Sequence, residues 1–426
     1  MAMSREKLLI RMYDVGFGDC FLLVVPGTPK RSILVDAGFH AQGKGSFAGT
    51  ALAEQVILDV TRLTGKKRID VVIATHRHQD HVFSFNAKVW DELDVGEVWM
   101  PWVEDPKNAA ARKLWKKQAA FRAQLAAALP GFQLTPEDAR EADFLLWNAG
   151  VGPGPKGFEA WSNADALERL RHGFASRDLS EPRYLPMTEA FPETFQSEAL
   201  PGVRVVVLGP SRDPELIAEL DPERDGETYR ALALRAAEGP ARGAIPSPFS
   251  EAWTAAAPED GSLPPLLPEE EERLRALARS ADPMFAARAL DDMINATSLV
   301  FVLQIGRARL LLPGDAEWGT WKRILADDGA RALLAGTTFF KIGHHGSHNG
   351  TPKSLVEEVL PEGLSAMLST QKGPGTYRND IPLDALLKAL GKHGVRVVRS
   401  DEKGKRLPAG FKREAAGRWV DLTLTC

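Results

Sequence analysis

Nine histidines are spread over 426 residues, yet six fall into two short clusters: His76, His78 and His81 in THRHQDH, and His344, His345 and His348 in HHGSH. Uniform scatter would put only about 0.2 histidines in those eleven positions, so the clustering has a local cause. The first cluster directly follows the apolar run Ile69 to Ala74, which reads as a buried strand. Extended backbone beyond a strand end aims His76 and His78, two apart, to one side, and Asp80 and His81 add one oxygen and one nitrogen. Gathering such donors at the carboxyl end of a strand is characteristic of α/β folds, which place their chemistry there.

The flanking pattern agrees. Short apolar runs from Leu8 to Tyr13, Phe21 to Val25 and Ile33 to Val35 alternate with turn signals at Gly16-Phe17-Gly18-Asp19 and Pro26-Gly27, as in an antiparallel meander. Leu52, Val56, Ile57, Val60 and Leu63 recur at helical spacing, with Gly65 as a stop. Strands are expected again at Val203 to Leu208, Ser298 to Gln304, Ala308 to Leu312, Thr338 to Ile342, Val395 to Arg399 and Trp419 to Leu424, with a helix over Leu383 to Leu390. Two stretches break the pattern. Residues 101–200 are rich in Ala, Lys and Trp and read as a helical insertion; residues 211–292 carry seven prolines between Pro240 and Pro268, then the acidic run Glu269 to Glu272, and read as an exposed insertion. Both suit a lid or a partner-binding face as well as plain surface elaboration. No fixed-period repeat occurs, which leaves one domain over 1–426 built from two β-rich halves.

Lys and Arg total 53 against 57 Asp and Glu, a net charge of −4, which excludes coating of nucleic acid by bulk charge. Two cysteines, Cys20 and Cys426, cannot build a disulfide framework. Arg11 and Asp14 interrupt any signal-like apolar stretch at the start, and no run approaches the ~20 apolar residues of a membrane span. The expectation is a cytoplasmic protein with no membrane span.

Imidazole with carboxylate suits Zn²⁺, Mn²⁺ or Fe²⁺ and suits Ca²⁺ poorly. One ion does not need four donors from one loop; two ions about 3.5 to 4 Å apart would use them if a distant carboxylate bridged. Asp315 in LLLPGDAE is the candidate bridge, projecting past the strand Ala308 to Leu312 at the Pro313-Gly314 turn, although an Asp there can also cap a helix beginning at Ala316. His344 or His345 would supply the last nitrogen. Alternation turns one of the two away, and His344 is the expected ligand. Trp99, Trp102, Trp115 and Trp147 can stack bases or pack helices; His393 reads as a helix-end residue and His40 as a rim residue.

These residues resemble the metallo-β-lactamase superfamily. Its HxHxDH motif is matched by His76, His78, Asp80 and His81, its lone distal Asp by Asp315, its final His by the HHGS segment, and its early Asp by Asp36 in ILVDAG. VGFGDCFLL, NATSLVFVLQIGRARLLLPGD and KIGHHGS are further similar to the hydrolase domain of the competence (DNA-uptake) protein ComEC and its stand-alone relatives. The resemblance implies a four-layer αββα sandwich with two large insertions. It also implies two divalent ions, zinc foremost, held by His76, His78, Asp80, His81, Asp315 and His344, with Asp36 orienting the loop. Asp80 and His348 take catalytic roles; His345, Ser347, Lys341 and His172 are supporting or alternative positions. The implied activity is hydrolysis by metal-activated water, foremost of a phosphodiester, nucleic acid included. Alternatives are a lactone, thioester or phosphorylcholine ester, or a non-catalytic, metal-stabilised effector that meets a protein partner through its insertions. Two features depart from the pattern. His172, in the polar RLRHGFAS, is the only histidine where a third-motif ligand is usual, and TYRNDIP stands where the competence branch carries a late His.

Overall fold

The computed structural model describes residues 6–40, 43–129, 134–150, 160–174, 181–220, 222, 226–229, 283–372 and 381–426. Most of the Pro-rich, acidic stretch within 211–292 and most of TYRNDIP lie outside the described residues.

Two sheets carry the chain. In the first, β1 (Lys7–Tyr13), β2 (Cys20–Val25), β3 (Arg31–Ala37), β4 (Arg68–Ile73), β5 (Asp94–Pro101) and β6 (Arg183–Leu185) lie side by side. β14 (Phe411–Arg413) and β15 (Trp419–Thr425) close its β1 edge. In the second, β7 (Glu193–Gln196), β8 (Val203–Gly209), β9 (Val300–Ile305), β10 (Ala308–Leu312), β11 (Phe339–Lys341), β12 (Ser365–Leu368) and β13 (Arg396–Arg399) follow in chain order. Each sheet is mixed: β3 to β6 and β10 to β13 run parallel, and their remaining pairs are antiparallel.

Burial on both faces explains the near-continuous apolar strands. β2 reads CFLLVV and is wholly buried: Phe21, Leu23 and Val25 point into the layer between the sheets, while Cys20, Leu22 and Val24 point to the outer helical layer. Against that outer face packs α1 (Thr50–Thr64), whose buried residues Leu52, Val56 and Val60 keep the predicted spacing and which Gly65 ends in a left-handed cap. The far face of the second sheet is covered by α8 (Trp318–Ala326), α9 (Asp328–Leu334) and α10 (Asp384–Lys392). Helix, sheet, sheet, helix is the expected αββα order.

Residues 101–200 contain α3 (Ala109–Ala128), α4 (Pro136–Asn148) and α5 (Asn163–His172), and also supply β6 and β7, one to each sheet. The short α2 (Gln79–Val82) begins within the histidine motif, and α6 spans Pro214–Ile217. Helix α7 (Pro283–Asn295) packs on α4 and, through Ala287, Leu290 and Ile294, joins an apolar cluster with Phe17, Phe144 and Leu145. Both α4 and α7 thereby lie over the end of the sandwich where the parallel strands finish.

Candidate metal centre

The carboxyl ends of β3, β4, β10, β11 and β12 deliver the site: Asp36, His76, Asp315, His345 and Ser369 lie at or just beyond them. His76, His78, Asp80, His81, Asp315 and His345 are each 2 % exposed or less. Asp36, His344 and His345 have φ of 55°, 46° and 49°, and are the only non-glycine residues with left-handed backbone among the described residues. Such conformations cost of order 1–3 kcal/mol each and persist where surrounding contacts impose them.

Each imidazole turns one nitrogen inward. His76 Nε2 lies 3.1 Å from His78 Nδ1, and His81 Nε2 3.1 Å from Asp315 Oδ2. His345 Nε2 lies 3.0 Å from Asp80 Oδ2 and 3.5 Å from Asp315 Oδ2. Three overlapping groups therefore have ligand atoms close enough to share an ion: His76–His78–Asp80, His76–His81–Asp315 and Asp80–His81–His345; a fourth, Asp19–Asp36–His81, lies behind His81.

The outward nitrogens are held. Asp36 accepts from the Thr75 amide at 2.8 Å and from Thr75 Oγ1 at 2.8 Å, and its Oδ2 lies 2.9 Å from His81 Nδ1. Since Thr75 Oγ1 donates to Asp36, it accepts from His76 Nδ1, 3.1 Å away. His345 Nδ1 donates to the Ser369 carbonyl at 3.0 Å. These contacts fix a proton on Nδ1 of His76, His81 and His345 and leave Nε2 as the atom each would offer to a metal ion. Lys341 is buried and bonds the Gly314 carbonyl and Asp315 Oδ1, both at 3.1 Å, and pairs with Asp19.

The electrostatics are those of a site built around positive charge. Burial pushes the Asp80 carboxyl up, but His81 and His345 outweigh it and hold Asp80 well below the carboxylate range. Asp315 is likewise held low, burial being overcome by Lys341, His81 and His345. Burial opposes charge on His81 and His345, yet Asp315 and the carboxylates around them raise both. His76 is pushed down by burial, and His78 falls to about 3 for the same reason. Beside this core, burial raises Asp291 to about 7 and Asp292 to about 8. Buried Asp80 Oδ1 and His78 Nε2 have no hydrogen-bond partner, and donors of nitrogen and carboxylate oxygen at this spacing fit Zn²⁺, Mn²⁺ or Fe²⁺.

The second histidine pair departs from expectation. His345, not His344, faces the cluster: His344 Nε2 contacts Asn295 Nδ2 at 3.2 Å and its Nδ1 lies 3.5 Å from Glu317. Alternation presumes extended backbone, and two consecutive left-handed residues reverse the outcome. Asp315 caps no helix, since α8 begins at Trp318 with Glu317 at its N-cap. His172 is exposed at the end of α5, and neither it nor His348 enters a ligand group among the described residues. Ser347 donates to Asn349 at 2.6 Å. His40 is buried rather than at a rim, its ring stacked 3.7 Å from Phe144, and burial lowers it to about 4. Trp99 and Trp102 are buried, with their indole N–H groups bonded to Glu97 and the Ser211 carbonyl, so both serve packing.

Other residues at the site carried no motif signal. Arg77, between the two motif histidines, makes a two-pronged bond to buried Glu104 at 2.8 and 3.1 Å, which fastens the loop to the end of β5. Asn148 from α4 accepts from the Asp80 amide at 3.3 Å, and Gly38 lies directly beneath the Asp80–His81 peptide.

The family model described as Metallo-beta-lactamase superfamily matches residues 13–159, a span that contains Asp36 and the whole first histidine cluster and ends before Asp315 and His345. The chain is also similar to ComE operon protein 3 of Bacillus subtilis, 28 % identical over 117 residues, which is 26 % of this chain and 13 % of that protein. Among the described residues no helix is long and apolar enough to cross a membrane. The two sheets between helical layers, the motif and the match over residues 13–159 are consistent with a metallo-β-lactamase sandwich, and its His and Asp groups can bind metal.

Proposed function

We propose that this chain is a phosphodiesterase with a dinuclear metal centre, formed by a single domain over 1–426 in which 101–200 and 211–292 are insertions. The observation that carries the reading is the convergence of six buried donors from both sheets, arranged in overlapping groups that share His76, Asp80 and His81. His76 and His78 would hold one ion and Asp80, His81 and His345 the other, with Asp315 as the carboxylate between them. Zn²⁺ is the first choice, ahead of Mn²⁺ and Fe²⁺. Divalent ions held there supply a Lewis acid and a nucleophilic water at neutral pH.

The chain's own groups do the positioning. Asp36 fixes His81 directly and His76 through Thr75, and the Ser369 carbonyl fixes His345, so that proton positions are set before substrate arrives. Lys341 offsets the negative charge of Asp315 and Asp19 in the metal-free protein. Phe17, 4.3 Å from the His345 ring, and Phe144 behind it exclude water from one side. The choice of phosphodiester rests on the motif similarity to the competence branch. Two free cysteines suit a reducing compartment such as the cytoplasm.

The test is turnover of bis-p-nitrophenyl phosphate and single-stranded DNA or RNA by metal-loaded protein, against a His76→Ala/His78→Ala control. Metal-dependent cleavage above that control is the expected result. Turnover of lactones, thioesters or phosphorylcholine esters with none of phosphodiesters would replace the substrate class. Metal-dependent stability without any turnover would make the centre structural and direct attention to partners of the insertions.

A further inference from the structure

Three of the four inward-facing imidazoles share one arrangement, with Nε2 inward and Nδ1 backed by Thr75, Asp36 or the Ser369 carbonyl at 2.9 to 3.1 Å. His78 is reversed. Its Nδ1 faces His76 Nε2 at 3.1 Å, and its buried Nε2 has no hydrogen-bond partner. Two nitrogens bound to one tetrahedral ion at about 2.0–2.1 Å lie about 3.3–3.4 Å apart, so the His76–His78 contact has the spacing of a ligand pair. For both to bind, both must present lone pairs, and the His78 proton must sit on Nε2.

We infer that Asp291 holds that proton in place: a positioning residue from α7, at the end of the second insertion, that orients His78 for the metal. Its Oδ1 lies 3.5 Å from His78 Nε2. Two amides hold the carboxylate: Asn148 Nδ2 donates to the same Oδ1 and Asn295 Nδ2 to Oδ2, each at 3.4 Å. Asn148 in turn accepts from the Asp80 amide, which ties the Asp291 carboxylate to both halves of the motif. Leu290 and Ile294 anchor the helix on either side of Asp291 in the cluster with Phe17 and Phe144. The first ion, which lacks a third-motif histidine, thus relies on a carboxylate behind His78 to raise that ring's basicity and fix its tautomer.

This inference rests on the proposed metal centre, and its test separates the two. Zn²⁺ affinity of wild type, Asp291→Asn, Asp291→Ala and Asp291→Glu is measured by competition with a chelator, alongside melts of the metal-free proteins and ¹⁵N-histidine spectra of the zinc-loaded ones. An amide at 291 can turn its N–H₂ towards Nε2 and drive the proton to Nδ1, the wrong tautomer. Asp291→Asn and Asp291→Ala should weaken one zinc equivalent by about 10–100-fold, leave the other unchanged and remove the His78 Nε2–H signal, while Asp291→Glu partly restores all three. Unchanged metal-free melts with these losses exclude a merely structural role. Wild-type affinity and an unaltered His78 signal in Asp291→Asn would overturn the inference alone. A wild type that takes up no zinc would overturn the proposed centre and this inference with it.

Discussion

Gly38 offers the sharpest mechanical test of how the fold holds the motif. It follows Asp36 at the end of β3, and a Cβ built on it would lie 2.1 Å from the Asp80 carbonyl carbon and oxygen and from the His81 nitrogen. Real Cβ contacts are not found below 3.0 Å, so in Gly38→Ala the Asp80–His81 peptide must retreat by at least 3.0 − 2.1 = 0.9 Å. That peptide is backbone between two proposed ligands and cannot rotate aside as a side chain would. It also accepts from the Asp19 amide at 2.9 Å, while Gly38 donates to the Asp19 carbonyl at 2.9 Å. A shift of that size opens the His81 contacts to Asp36 and Asp315 and the Asp80 contact to His345, none of which exceeds 3.1 Å now. Overpacking of this kind costs roughly 1–3 kcal/mol of stability. A misplacement of about 1 Å costs on the order of 100-fold in activity, so metal-dependent function should suffer far more than folding. Chelator competition with zinc and urea unfolding of the metal-free protein read the two effects separately. Gly38→Ala with wild-type zinc affinity and wild-type stability would refute the close contact on which the reasoning depends.

Other perturbations follow from the same geometry. Arg77→Ala strands Glu104, which is 1 % exposed, with only Arg171 at 3.6 Å; unfolding should show a loss of about 2–4 kcal/mol, smaller when Glu104→Gln is combined with it, and additive losses would contradict the pairing. For pH, His81 and His345 are raised above their unfolded value near 6.5, so their contribution is complete below that value and is lost as pH climbs through the folded one. Asp291 at about 7 and Asp292 at about 8 act in the same direction from about pH 4 upwards. His40, His76 and His78, lowered by burial, act the opposite way below about pH 6.5, so above it metal-free protein should melt at lower temperature at pH 8.5 than at pH 7, and a rise over that interval would be contrary. Zinc must displace the protons that His81 and His345 hold on Nε2, so calorimetry in buffers of different ionisation enthalpy should find net proton release near neutrality, where none would contradict the charge assignment.

Much of the scaffold was legible because its signals are local. The helical spacing over α1, its Gly65 cap and the apolar runs of β1 to β4 and β8 to β10 are where periodicity places them. The short strands β6, β7, β12 and β14 escaped, as did β5, where Asp94, Gly96 and Glu97 interrupt the apolar run. In the site, His76, His78, Asp80, His81 and Asp315 were readable because consecutive donors after strands need no tertiary knowledge. The choice between His344 and His345 was not, because it depends on left-handed backbone that only the surrounding packing imposes. Asp291 and Asn148 sit on helices within stretches that read as insertions. The spacing of Ala287, Leu290 and Ile294 marks α7 as packed on one face, but no spacing rule brings its Asp to His78.

The most direct measurement of the central claim is metal content per chain, by elemental analysis of protein purified without a histidine tag, for wild type, His345→Ala, His344→Ala and Asp315→Ala. A dinuclear centre that uses His345 gives about two equivalents in wild type and in His344→Ala, about one in His345→Ala, and one or fewer in Asp315→Ala, which removes the shared carboxylate. One equivalent or none in wild type, or loss of metal from His344→Ala with retention in His345→Ala, would contradict it.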